Sequence, residues 1–184
     1  KNKDITLEDV ETSFNNWRGA WAHFMAWETG GAKFLLTHGG VFKSYKAIGN
    51  WGRGLWFDTD NLNIDIEQAF LSKNQVNGIL LEANMGPFTI ADSKICQNNQ
   101  GGIVTNHSEL VTLTGNAIFE NQSSQVIVFG SSGQRSGTNW ESGQQFVASA
   151  RNWKFLKNPV TGTNAIQPPF SIHHSPTPFL HSLA

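Results

Sequence analysis

Apolar residues in this chain alternate in short runs, and the runs recur at a fixed distance from an asparagine. The pairs Ile5/Leu7, Ile64/Ile66, Phe88/Ile90 and Val111/Leu113 lie ten and eight positions before Asn15, Asn74, Asn98 and Asn121. Strict alternation over so few residues is the period of a half-buried strand. Gly40 before Asn50, and Ala148 with Ala150 before Asn158, are the weak members of the series. Four residues after the asparagines stand Gly54, Gly78 and Gly102, with Gln125 at the same offset from Asn121. The pairs Asn15 with Gly19 and Asn158 with Gly162 repeat that offset. A second apolar run follows: Leu55-Trp56-Phe57, Ile79-Leu80-Leu81, Ile103-Val104-Thr105 and Val126-Ile127-Val128.

Asn50, Asn74, Asn98 and Asn121 are spaced by 24, 24 and 23 residues. Two strands per repeat, joined by a turn holding Asn and Gly, make a coil that stacks on the next one. No repeat contains a helical pattern, which excludes alternating strand and helix units. A leucine-rich repeat has a similar period but sets its asparagine much nearer the apolar pair. The expected fold is therefore all-β, a parallel β-helix of six coils, one for each asparagine. In-register stacking at about 4.8 Å would bring the asparagines into one inward ladder. The gaps of 35 and 37 residues at the two ends are read as insertions, near 24–33 and near 130–141. The solenoid then spans 1–162, and 163–184, rich in proline, forms an irregular tail.

The segments NWGRGLWFDTDNLNIDIEQAFLSKNQVNGILLEANMGPFTI and NNQGGIVTNHSELVTLTGNAIFEN resemble the repeats of right-handed parallel β-helix proteins, the pectin-lyase-like superfamily. That resemblance covers about Ile5 to Val128. It implies a carbohydrate-active protein that is secreted, periplasmic or at the cell surface. The superfamily spans lyases, hydrolases, epimerases, tailspikes and adhesins, so fold alone does not choose among them. Neither the paired-aspartate and glycine-histidine-glycine motifs of polygalacturonases nor the aspartate-proline-histidine motif of epimerases stands in the chain. No catalytic residue is carried over from a subfamily. Strand-like Ile5-Thr6-Leu7 begins almost at once, with no room for a cap, so the solenoid is expected to start inside a longer stack or against a partner chain.

The candidate site comes from parity. If the first and third residues after each glycine face inward, the second and fourth face outward. The fourth place then reads His23, Asp58, Glu82 and Asn106, with Asp60 beside it above Asn84. The second place supplies Trp21 and Trp56, and Arg18 and Arg53 precede their glycines. Clustered carboxylates need a shared proton, a cation or a substrate between them. Asp58, Asp60, Glu82 and His23 are thus candidate catalytic residues for glycosidic bond cleavage, by hydrolysis or elimination. The three acids are alternatively ligands for Ca²⁺; no other cofactor is implied. Arg53, Arg18, Lys33, Asn84 and Asn106 would bind the polysaccharide, with Trp21 and Trp56 as stacking platforms. The rival reading is a non-catalytic glycan-binding or structural β-helix, like an adhesin or tailspike. In a further alternative the insertion carrying Trp27 folds over Trp21 and Trp56 and buries them.

Composition narrows the partners. Charged residues make up only 15% of the chain, and the formal net charge is -1. Asparagine and glycine, eighteen of each, supply the polarity instead. Near-neutral charge gives no electrostatic basis for binding nucleic acid or an anionic membrane. Lone Cys96 excludes an internal disulfide and reads as a packed core residue. No apolar run reaches the roughly 20 residues of a membrane span. His173, His174 and His181 read as surface residues, and Asn106-His107-Ser108 and Asn121-Gln122-Ser123 match the glycosylation pattern by abundance of asparagine.

Overall fold

The computed structural model describes residues 1–17, 30–130, 135–162 and 166–167, and every regular element among them is a strand. Three parallel sheets run along the molecule. The first contains β1 (Asn2–Glu8), β3 (Thr37–Lys43), β6 (Leu62–Glu67), β9 (Phe88–Ala91), β12 (Val111–Thr114) and β17 (Lys154–Leu156). In the second are β4 (Lys46–Ile48), β7 (Phe70–Ser72), β10 (Lys94–Cys96), β13 (Ala117–Phe119) and β18 (Val160–Thr161). The third comprises β2 (Gly30–Leu35), β5 (Arg53–Asp58), β8 (Ile79–Glu82), β11 (Gly101–Asn106), β14 (Ser124–Phe129) and β19 (Ile166–Gln167). Consecutive strands of a coil belong to different sheets and each pairs with its equivalent one coil away, so the chain forms the expected parallel solenoid. A separate antiparallel hairpin joins β15 (Arg135–Thr138) to β16 (Gln145–Ala148).

Two expectations need correction. Each regular coil has three strands and not two: those of the second sheet, two or three residues long, are too short to show as alternation. Four uninterrupted coils, β3 to β5, β6 to β8, β9 to β11 and β12 to β14, replace the six expected. Inward columns fill the interior. Leu55, Ile79, Ile103 and Val126 stack on the third sheet, Ile64, Phe88 and Val111 on the first, and Leu71, Ile95 and Ile118 on the second, all fully buried. Phe57 packs edge-on against Phe42 and Phe88, at centroid distances of 5.1 and 5.6 Å.

The asparagine ladder closes one corner. The side-chain amide of Asn50 donates to Asn74 Oδ1 at 2.9 Å, that of Asn74 to Asn98 at 2.9 Å, and that of Asn98 to Asn121 at 2.8 Å. Each acceptor oxygen also takes the backbone N–H of the preceding rung, so turn amides that would be buried without partners are satisfied. The other two corners have ladders as well. One runs Asn61, Asn84, Ser108, and the other Ser93, Asn116, Asn158. Asn158 therefore continues Asn116 and not Asn121, and Phe155, not Ala150, lies level with Leu113.

At the other end Asn15 keeps its place, its N–H donating to Asn50 Oδ1 at 2.9 Å. Its glycine differs. Gly30 pairs with Arg53 and Ala32 with Leu55, so Gly31, not Gly19, is level with Gly54. The insertion falls between Asn15 and Gly31, and Lys33 belongs to a strand of the solenoid.

Candidate functional site

The shift of register rewrites the outer face of the third sheet. Its columns read Lys33, Trp56, Leu80, Val104, Ile127 and, two residues on, Leu35, Asp58, Glu82, Asn106, Phe129. Arg18, Trp21 and His23 lie outside the described residues. The positions expected for Trp21 and His23, beside Trp56 and Asp58, are held by Lys33 and Leu35. Asp58 and Glu82 are register partners on adjacent coils, as parity required.

Trp56 does not offer an open face to a sugar. It is only 3% exposed, with Lys33 Nζ 3.7 Å and Arg53 Cζ 4.4 Å from its ring centre. Cations over an indole face are attracted by its quadrupole, and the ring forms a strip with buried Leu80, Val104 and Ile127. The acids beside it have partners. Asp58 Oδ2 lies 2.9 Å from Lys33 Nζ, and its Oδ1 accepts a hydrogen bond from Thr59 Oγ1 at 2.8 Å. Glu82 is paired with Arg135 of the hairpin. Burial pulls the Arg53 guanidinium below its ordinary value, while Glu82 and Asp58 act in the opposite sense.

Asp60 and Asn84 are not where parity set them. Asp58 is level with Glu82, but Asn61 is level with Asn84, so the turn after β5 holds one residue more than the turn after β8. Thr59 and Asp60 absorb it with positive φ, 41° and 56°. The carboxylate of Asp60 is carried away from Asp58 to a fully buried place at the next corner. Asn84 is a ladder rung, donating to Phe57 O and to Ser108 Oγ, and is fully buried, so it is corrected from a ligand-binding to a structural residue. Asp58, Asp60 and Glu82 thus do not converge, and among the described residues no group of three acidic, histidine or cysteine side chains is placed to hold a metal ion.

What the face does provide is an open depression of about 590 Å³. Leu80 and Val104 form its floor, with Arg53, Asn77, Glu82, Asn106 and His107 around them and Phe129 at one end. Phe129 is 50% exposed. Asn77 Oδ1 accepts from Gly101 N at 3.1 Å, and Asn106 Oδ1 lies 2.7 Å from His107 Nδ1. Each contact fixes the orientation of one amide. Sugar hydroxyls need donors and acceptors together, and sugar C–H faces need an apolar surface; the depression supplies the first two through its amides and charged groups and the third through Phe129.

A second polar cluster went unread in the sequence. His38, on β3, is 3% exposed and lies between two carboxylates. Its Nδ1 is 2.7 Å from Glu141 Oε2, and its Nε2 is 3.2 Å from Asp60 Oδ2 without a directed hydrogen bond. Trp140 donates its backbone N–H to Asp60 Oδ2 at 2.8 Å and lays its ring 4.9 Å from the imidazole. Glu141 also meets Lys3 Nζ at 2.5 Å. Hydrogen bonds from Lys3, then from His38, hold the Glu141 carboxyl below its ordinary value and raise Lys3 in turn. The cluster joins residues 103 positions apart, beyond the reach of any local motif. The one sequence signal was the step from Gly31 to Gly54, which places His38 level with Leu62 at a corner.

A family model described as right handed beta helix region matches residues 1–121. The comparison with curated proteins gives no match. Among solved structures, the A-module of Azotobacter vinelandii mannuronan C-5 epimerase AlgE6 aligns with 85% of this chain at a TM-score of 0.60 and 18% identity. The chain spans 41% of the length of that module, and the likeness is one of fold. With the family model covering well over half of the sequence and three parallel sheets stacked in register beneath it, the chain belongs to the right-handed parallel β-helix family.

Proposed function

We propose that the depression on the outer face of the third sheet binds an extended saccharide, and that the chain is a glycan-binding β-helix acting outside the cytoplasm. The carrying observation is the combination of an exposed apolar ring, Phe129, with the amides of Asn77 and Asn106 and the charges of Arg53 and Glu82 in one open depression. The face repeats at the strand spacing of about 4.8 Å, so successive coils offer successive polar groups to a polymer. The likeness in fold to a mannuronan C-5 epimerase agrees with a carbohydrate ligand.

Binding has more support than hydrolysis. Glycoside hydrolysis needs two carboxyl groups facing one bond, whereas Asp58 and Glu82 are each engaged by a cation and Asp60 lies at another corner. The test is a panel of neutral and uronate polysaccharides, followed by calorimetry for binding and by assays for new reducing or unsaturated ends. Saturable binding without new ends is the expected outcome. New ends would restore the cleaving enzyme, and no binding across the panel would remove the saccharide reading.

A further inference from the structure

The hairpin of β15 and β16 crosses the coils on the outside, and its contacts with the solenoid are mostly charged. Arg135 meets Glu82 on β8, Trp140 meets Asp60 in the turn after β5, and Glu141 meets His38 on β3 and Lys3 on β1. One edge of the solenoid is thus tied at four points on three successive coils by one short element. Lys1 Nζ stands 5.7 Å from the centre of the Trp140 ring, and the Trp140 and His38 rings make the aromatic contact of the tip. Three of the four residues of β15 are exposed, and Val147 of β16 is 42% exposed.

Beneath this element lie atoms that a permanently closed core does not favour. Asp60 Oδ1 and Trp140 Nε1 are buried without a hydrogen-bond partner among the described residues. Asp60 is itself fully buried and His38 nearly so. Buried polar groups without partners are rare in a settled interior and mark places where something else binds or moves. We propose that the hairpin is an electrostatically latched strap over a second ionisable site formed by His38 and Asp60, and that it opens as a unit. Closed, the strap seals the imidazole between two carboxylates. Open, it presents an imidazole and a carboxylate side by side at the corner, a pair that accepts and donates hydrogen bonds to a hydroxyl group or water. The groups facing His38 are Asp60 from the turn and Glu141 with Trp140 from the strap, with Lys3 behind Glu141.

Carbethoxylation of His38 by diethyl pyrocarbonate, followed by peptide mass mapping, reads the opening directly. In the parent protein at low salt, His38 should react at least about tenfold more slowly than N-acetylhistidine, as expected for a group reached only through local opening. Arg135→Gln removes an anchor at Glu82 and touches nothing near His38, and Trp140→Ala removes the cover. Each should raise the His38 rate about threefold or more, the scale of losing one exposed ion pair or ring contact. Raising NaCl to 1 M should do the same to the parent, with no variant needed. Ser136→Ala, at an exposed position of the hairpin, serves as the control and should leave the rate unchanged. Reaction of parental His38 as fast as N-acetylhistidine, or a rate indifferent to Arg135→Gln, Trp140→Ala and salt alike, would overturn the proposal.

Discussion

The pairing of an asparagine with a glycine four residues later has a steric cause. Each asparagine amide packs against the glycine of the previous coil: a Cβ on Gly54 would meet Asn74 Nδ2 at 2.9 Å and Gly78 O at 2.5 Å, and one on Gly78 would meet Asn98 Nδ2 at 3.0 Å and Gly102 O at 2.7 Å. The ladder thus demands a residue without a side chain beside it. The series changes at Gln125 because that side chain turns into the ladder and accepts from Asn121 Nδ2 at 2.7 Å, taking the place of a rung. Asn74→Leu should cost about 1 to 3 kcal/mol in urea unfolding, since it leaves a buried carbonyl and amide without partners. Gly78→Ala should cost a similar amount, about 1 to 3 kcal/mol, as overpacking against backbone that cannot move aside. A neutral result at both positions would mean that coil spacing is softer than the ladder geometry requires.

At the scale of elements, the solenoid strands are fixed by local pattern and the strap is not. Alternating apolar pairs and the asparagine offset made the first and third sheets legible, because each inward residue repeats one coil later. The second sheet was hidden, since a strand such as Lys94–Cys96 is too short for an alternation to show. The insertion between Asn15 and Gly31 misled the reading of the site, because a glycine four residues past an asparagine was already present at Gly19. Lys33 consequently appeared as part of a loop when it is the cation over Trp56 and beside Asp58. For the strap, the sign of the pH dependence follows from Glu141. Its folded value lies below the ordinary 4.5, so its anchoring is present above that value and is lost as pH falls through the lowered one. Lys3 is raised above 10.5, so its share is present below that value and is lost only as pH rises through the raised one. Hydrogen exchange of the amides in 139–142, corrected for intrinsic rates, should therefore show protection above the ordinary carboxyl value of 4.5 and faster opening as pH falls below it, through the lowered value. Protection that persists unchanged into strong acid would show that the charge on Glu141 does not hold the tip.

Across the whole molecule, the three faces of the solenoid are unequal. The interior is shared by all three sheets, and among the described residues the third carries a second buried apolar cluster on its outside, from Trp56 to Ile127, with a depression along it. The strap meets that face at Glu82, so a saccharide seated there would adjoin the strap's anchor. The fold was legible in the sequence because a repeat states the same structural demand several times. Only part of the site was, because Asp58, Glu82, Arg53 and Asn106 follow the repeat while His38, Trp140 and Glu141 are brought together by insertions. The measurement that bears most directly on the central claim is calorimetric affinity for a polysaccharide found by the panel, in Asn77→Ala and Asn106→Ala and in a control, Thr89→Ala, on the outer face of the first sheet. If the depression is the binding site, each asparagine change weakens binding about tenfold, the loss of a hydrogen bond or two worth about 1.4 kcal/mol, while Thr89→Ala binds as the parent does. Equal affinity in all four proteins would contradict the account.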